Sequence, residues 1–274
     1  METVQFIHIT DTHLNAPGQE AAFLKVNVAD KLMQVFRHIK ESQLKPAFIL
    51  VTGDLAHEGN AQDYAYIRTV MDEGADIVGA PVYVTLGNHD HRSAFREGYL
   101  GELPTEQAYY YSETINGLRL IALNSQMPGQ HHGTVDDEQL AWLALQLQTP
   151  APNGTIVALH HPLLDINGMS SDHMLSNAKE LGDMVRTGDV TGIFAGHVHS
   201  NNVGMYNGIL SVAASGTAFA GERLSDGQFR MYDFCSYNVV TSGPLNSSVQ
   251  TIVIPTSNEE FARFYMALLS AHKA

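Results

Sequence analysis

Five short apolar runs, each ending in a knot of carboxylate, amide or imidazole residues, constrain this chain more than any other feature. Val4 to Ile9 leads into Asp11-Thr12-His13, and Ala47 to Thr52 leads into Gly53-Asp54. Pro81 to Leu86 leads into Gly87-Asn88-His89-Asp90. Thr155 to Leu159 leads into His160-His161, and Thr191 to Ala195 into Gly196-His197-Val198-His199. Runs this short and apolar predict buried strands. Open α/β sheets collect ligand groups just beyond the carboxyl ends of such strands.

Helix-period segments separate the runs, which predicts an α/β fold. Val28 to Glu41 places Val28, Leu32, Val35, Phe36 and Ile39 on one face, and Tyr64, Ile67, Val70 and Met71 mark a second helix. Asp136 and Gln139 predict a capped helix carrying Leu140, Leu143 and Leu147. Leu181, Met184 and Val185 line another, stopping near Gly188. Asn116-Gly117 and Asn207-Gly208 predict hairpin turns. From about Phe229 to Pro255 the pattern reads as antiparallel strands, and Ser257 with Glu260 predicts a cap for a final helix. That helix would show Phe261, Phe264, Tyr265, Leu268 and Leu269 as an apolar stripe packed on its own domain, with a homodimer contact as the alternative. There is no internal repeat or low-complexity tract.

The spacings carry chemistry. Residues i and i+2 on extended backbone share a side, so Asp11 with His13 and His197 with His199 are expected to converge. Glycines 53, 87 and 196 permit a sharp turn or close approach just before a ligand. Carboxylate, amide and imidazole donors without thiolate suit Mn, Fe, Co or Zn, and so many donors imply two metals rather than one. His8 is expected to pack within its strand, His38 to lie exposed on a helix, and His131 and His132 to serve a turn after Pro128-Gly129. His57 lies near enough to Asp54 in sequence to reach a substrate but is not assigned to the site.

Composition narrows the class. A net charge of −14 disfavours binding to nucleic-acid polymers or anionic lipid, so a phosphate-processing site would need bound cations to supply local positive charge. Cys235 is the only cysteine, which excludes an internal disulfide and a thiolate zinc site. A chain of 274 residues can bury a core without a structural metal, so a metal would serve chemistry. No apolar stretch is long enough to cross a bilayer and no basic-then-apolar leader opens the chain, so a cytoplasmic location is expected.

The ordered set Asp-x-His, Gly-Asp, Gly-Asn-His-Asp, His and Gly-His-x-His resembles the calcineurin-like metallophosphoesterase superfamily. Pro128-Gly-Gln-His-His-Gly133 and Thr149 to Pro162 narrow the likeness to its class III cyclic nucleotide phosphodiesterases, including mycobacterial members, with bacterial glycerophosphodiesterases as more distant relatives. The likeness is good from about residue 5 to 200 and poor beyond about 225. It implies a four-layer αββα sandwich over residues 1–228, with residues 229–274 forming a small β/α extension of the same unit or an oligomerisation element. It implies one metal on Asp11, His13, Asp54 and His199 and a second on Asp54, Asn88, His160 and His197. It further implies attack of a metal-bridging hydroxide on a small-molecule phosphodiester, with Asn88, His89 and His161 near the substrate. His89 would serve as the catalytic group and Asp90 would orient a histidine. Where the family commonly reads His-His-Pro-Pro, this chain carries Leu163. Gly53-Asp-Leu-Ala-His-Glu-Gly59 lacks the Gly-Asp-x-x-Asp-Arg-Gly of protein phosphatases, which disfavours that role. The alternatives are a glycerophosphodiesterase or broad-specificity phosphodiesterase. More remote is a non-catalytic scaffold, which would be marked by lost ligand positions; none is lost here.

Overall fold

The structure, a computed structural model, describes residues 2–19, 24, 26–166, 169 and 171–265. Strands β1 (Val4–Ile9), β2 (Ile49–Thr52) and β3 (Val82–Thr85) run parallel, joined through helices α1 (Val28–Glu41) and α2 (Ala61–Val78). Asn27 caps α1 by accepting from the Asp30 amide, and Asn60 with Asp63 forms a reciprocal capping box on α2. After a short helix α3 (Arg92–Phe95), a hairpin joins β4 (Tyr111–Ile115) to β5 (Leu118–Ala122). Its turn residues Asn116 and Gly117 both have positive φ, as a type I′ turn requires. Helices α4 (Asp137–Gln146) and α5 (Ala178–Val185) alternate with β6 (Thr155–Ala158) and β7 (Val190–Ala195), and β8 (Asn202–Tyr206) and β9 (Ile209–Ala213) form the second hairpin. The chain closes with β10 (Ala220–Arg223), β11 (Gln228–Tyr232), β12 (Cys235–Ser242), β13 (Ser247–Ile254) and β14 (Glu260–Tyr265).

These strands form a five-stranded sheet in the order β13-β12-β1-β2-β3 and a six-stranded sheet in the order β4-β5-β6-β7-β9-β8. The period of two along β1 explains how they stack. Phe6 points to one side and joins Phe48, Leu50, Leu120, Ile156 and Phe194 in a dry layer between the sheets. Phe6 and Phe48 stack at 4.6 Å, with Phe194 edge-on to Phe6 at 5.2 Å. Ile7 and Ile9 point to the other side, onto the apolar faces of α1 and α2. On the second sheet Ile121, Val157 and Ile193 meet α4 and α5 in the same way. The result is the helix–sheet–sheet–helix order that the resemblance implies. Each parallel strand delivers its carboxyl end to one rim of the sandwich.

The C-terminal part departs from expectation. Residues 260–265 are strand β14, not a helix: they pair antiparallel with β11 in a three-stranded sheet ordered β10-β11-β14. Phe261, Phe264 and Tyr265 fit either period over so short a run. A bulge opposite Met231 and Tyr232 leaves Phe261 as the extra residue, where it meets Phe219 edge-on at 5.8 Å. Ser257 caps no helix; its amide and hydroxyl both donate to Asp233. The remaining two strands join the main sheet, with β12 antiparallel to β1. Leu268 and Leu269 of the expected stripe lie outside the described residues. His38 is half-buried rather than exposed, its ring nitrogen bonded to the Tyr237 hydroxyl at 3.0 Å. His8 is fully buried between the sheets, as its place in β1 predicts.

Candidate metal centre

The five strand ends converge on one buried point. Asp11, His13, Asp54 and His199 offer ligand atoms that all lie within 4.8 Å of one another, as do Asp54, His160 and His197, so Asp54 belongs to both groups. His199 Nε2 lies 3.2 Å from Asp11 Oδ1, and His13 Nε2 lies 3.8 Å from Asp54 Oδ2. On the other side His160 Nε2 lies 3.3 Å from Asp54 Oδ2 and 3.2 Å from Asn88 Oδ1. Asn88 therefore stands where the second group needs a further oxygen donor.

The convergence is not produced by extended backbone, contrary to the expectation from i, i+2 spacing. Asp11, His13, Asp54, His197 and His199 all adopt positive φ, between 44° and 73°. Side-chain-bearing residues rarely take this left-handed conformation, and each does so at a cost of about 1 kcal/mol or more. Concentrating it at ligand positions turns each loop sharply so that its donors aim inward. Neighbouring loops hold the shape: the amides of Asp11, His13 and Leu14 donate to the carbonyls of Gly53, Asp54 and Leu55. The Gly196 amide donates to the His160 carbonyl. A side chain at Gly87 would overlap the Asp54 carboxylate, and one at Gly196 would overlap Thr10 and Asp11.

Hydrogen bonds behind the donors settle which atom faces the centre. A backbone carbonyl can only accept, so His160 Nδ1–H donates to Thr52 O at 2.8 Å and His199 Nδ1–H to Phe219 O at 3.1 Å. Each therefore turns its Nε2 inward. Asp11 Oδ2 accepts from Thr10 Oγ1 and the His197 amide, and Asp54 Oδ1 accepts from the His89 amide. Asp11 Oδ1 and His197 Nε2, both shielded from solvent, have no hydrogen-bond partner among the described residues. Buried polar atoms are seldom left so unless something else binds them, and donor atoms of this chemistry suit divalent cations.

The electrostatics agree. Burial drives the His13 and His197 rings well below the ordinary imidazole range, which keeps each ring neutral with one nitrogen lone pair available. Burial would raise Asp54, but His160, His89 and His13 outweigh it and hold the carboxylate ionised. His160 is pulled down by burial yet carried up to about 9 by Asp54 and Asp11. A proton thus stands in for a cation there, and binding a metal would release it.

Around this centre the remaining residues take several parts. His89 lines the mouth, with Nδ1 3.2 Å from Glu58 Oε1; burial lowers it, but Asp54 and Glu58 leave its pKa raised. Asp90 orients no histidine. Its carboxylate instead accepts from the amides of Leu55, Ala56 and Gly87 and from the Tyr64 hydroxyl, clamping the Asp54 loop to the Asn88 loop. His161, expected beside the substrate, has both nitrogens engaged: Nε2–H donates to His131 O and Nδ1 meets Ser125 Oγ. Its ring packs on His197 at 4.5 Å. Leu163 is buried among Leu159 and Leu175, so the departure from a second proline falls in the core and not in the site.

Two features escape sequence reasoning. His131 lines both hollows at the site, a cleft of about 480 Å³ with Arg92 and Gln126 and a smaller one of about 140 Å³ walled by Phe229, Met231 and Phe264. His57 contacts His13 directly, Nδ1 to Nδ1 at 3.2 Å. The doublet in Gln130-His-His-Gly133 signals the first; for the second the sequence offers the place of His57 shortly after Asp54 and nothing that points to His13.

Comparison with known proteins agrees with this geometry. Residues 4–201 match the calcineurin-like phosphoesterase family. A probable cyclic nucleotide phosphodiesterase of Rhodococcus erythropolis is 35% identical over 271 residues, covering 94% of this chain and 88% of that protein. A cAMP/cGMP dual specificity phosphodiesterase of Mycobacterium tuberculosis is 37% identical over 214 residues, covering 78% and 67% respectively. A solved dimetal phosphatase of Danio rerio shares the fold at 14% identity and a TM-score of 0.53, covering 91% of this chain and 99% of that one. The chain belongs to the calcineurin-like phosphoesterase family of hydrolases.

Proposed function

We propose that this protein hydrolyses the phosphodiester of 3′,5′-cyclic nucleotides at a centre of two divalent metals. Asp11, His13, Asp54 and His199 would hold one ion, and Asp54, Asn88, His160 and His197 the other. The observation that carries this reading is the sharing of Asp54 between two buried donor groups. The oxygen and imidazole donors favour Mn, Fe, Co or Zn over softer metals. When bound, such a pair supplies Lewis acidity toward phosphate oxygens and a nucleophile at neutral pH.

The protein's own residues do the rest. Thr52 O and Phe219 O keep His160 and His199 in the ligating tautomer. His89, kept protonatable by Asp54 and Glu58, stands at the mouth to donate a hydrogen bond to the phosphate and a proton to the departing alkoxide. The names of the two bacterial relatives support the cyclic nucleotide as substrate. Among the described residues no helix is long and apolar enough to cross a membrane, and we read the enzyme as acting on a cytoplasmic pool of substrate.

The test is a comparison of 3′,5′-cyclic AMP and GMP, glycerophosphoethanolamine, and aryl mono- and diesters on metal-reconstituted protein. The highest kcat/KM is expected on the cyclic nucleotides. Preference for glycerophosphoethanolamine would move the assignment to a glycerophosphodiesterase, and preference for monoesters would exclude a diesterase.

A further inference from the structure

We infer that His57 is a positioning residue for the metal centre: its Nδ1 accepts the Nδ1 proton of His13 and so fixes the His13 Nε2 lone pair toward the metal. The inference rests on the proposed function, in which His13 is a ligand. A neutral imidazole has one N–H and one lone pair. If Nε2 of His13 binds a cation, its proton must sit on Nδ1, and that hydrogen needs an acceptor. Nδ1 of His57 lies 3.2 Å away. His13 is buried, so water does not readily substitute for this acceptor.

The contrast with the other ligands sharpens the point. His160 and His199 donate their Nδ1 protons to the backbone carbonyls of Thr52 and Phe219, which no substitution removes. His13 relies on a side chain, so its orientation is open to mutation. The neighbouring loop fits the task. Glu58 has φ 56°, a left-handed turn immediately after His57, and the His57 ring stacks on His89 at 4.6 Å and lies 5.3 Å from that of His13. The ring is thus held between the ligand it serves and the residue at the mouth. Its Nδ1 points at the outer nitrogen of His13, away from the shared centre, which makes it a support and not a ligand.

The experiment is a calorimetric titration of Mn²⁺ into metal-stripped protein, run on wild type and on His57→Phe, His57→Ala and His57→Asn. Phe keeps a stacking ring without an acceptor, whereas Asn places an amide oxygen near the position of Nδ1. Loss of an outer partner of a ligating histidine typically weakens metal binding about 10- to 100-fold. That loss is expected at one of two sites in His57→Phe and His57→Ala, with His57→Asn within about threefold of wild type by restoring the acceptor. Thermal unfolding of the metal-free variants at wild-type temperature would show that the fold is intact. Wild-type affinity in Phe and Ala, or equal loss in all three variants, would overturn the positioning role while leaving the centre itself standing. A wild-type protein that binds no Mn²⁺ would overturn the centre, and this inference with it.

Discussion

At the scale of single residues, two histidines show how place decides chemistry. His89 sits at the mouth with its amide on Asp54 and its ring against Glu58. Replacing it with Ala is expected to lower kcat by about 10²- to 10⁴-fold, the usual worth of a general acid, with metal content unchanged. Steady-state kinetics alongside metal analysis checks this. His8 shows the opposite case. Buried between the sheets, it is pushed down to about 3 because burial penalises its charged form. The unfolded chain takes up a proton near pH 6.5 that the native ring refuses. Its contribution to stability is therefore complete above about pH 6.5 and is lost as pH falls toward 3, by roughly 1.4 kcal/mol per pH unit. Urea unfolding at several pH values should show that slope reduced by one proton's worth in His8→Leu. An unchanged slope would mean that the ring is protonated in the native state.

The candidate ligand positions were legible in the sequence because each group follows closely on an apolar run, three of the five through a glycine, a pattern that survives without knowledge of the fold. The reason given for their convergence was not. The i, i+2 spacing predicts convergence of Asp11 with His13 on extended backbone, whereas both residues turn left-handed, and that geometry depends on the Gly53–Leu55 loop beside them. The contact between His57 and His13 and the clamp formed by Asp90 were hidden for the same reason. The His57–His13 contact and the bonds from Asp90 to Leu55 and Ala56 join residues more than 30 positions apart through loop shape, which has no period.

At the scale of elements, helices, hairpins and the antiparallel strands between Phe229 and Pro255 carry local signals, whereas the final strand does not. Asp136 caps its helix as the sequence predicts, and Asn27 and Asn60 cap theirs through the same kind of side-chain bond. The six residues of β14 fit either period, and only pairing with β11 makes them a strand. β10 begins Ala220-Gly221, which carries no strand propensity and is ordered by its neighbour. One tie fastens this late segment to the early fold. Lys31 of α1 is buried and donates to Ala218 O, Phe234 O and Asp233 Oδ1. Removing one partner of a buried ion pair leaves the other charge uncompensated. Lys31→Ala is expected to destabilise the protein by on the order of 3 kcal/mol, read as a lower midpoint in urea. An unchanged midpoint would show that the Lys31–Asp233 pair carries no net stability.

At the scale of the whole molecule, two sheets built on the same plan aim their strand ends at one rim. The five-stranded sheet supplies Asp11, His13, Asp54 and Asn88, and the six-stranded sheet supplies His160, His197 and His199. A metal bound there bridges the two sheets and is expected to stabilise the fold as well as the reaction. At 100 times its dissociation constant, a ligand specific for the native state adds about 2.7 kcal/mol. A chelator should accordingly lower the melting temperature by several degrees, and added Mn²⁺ should restore it. A melting temperature indifferent to both would argue that the donors do not bind metal.

The central claim is that Asp54 is shared by two ions. Anomalous diffraction from crystals soaked in Mn²⁺ tests it most directly. Two peaks are predicted, one among Asp11, His13 and His199 and the other among Asn88, His160 and His197, with Asp54 between them. A single peak, or none at these residues, would contradict it.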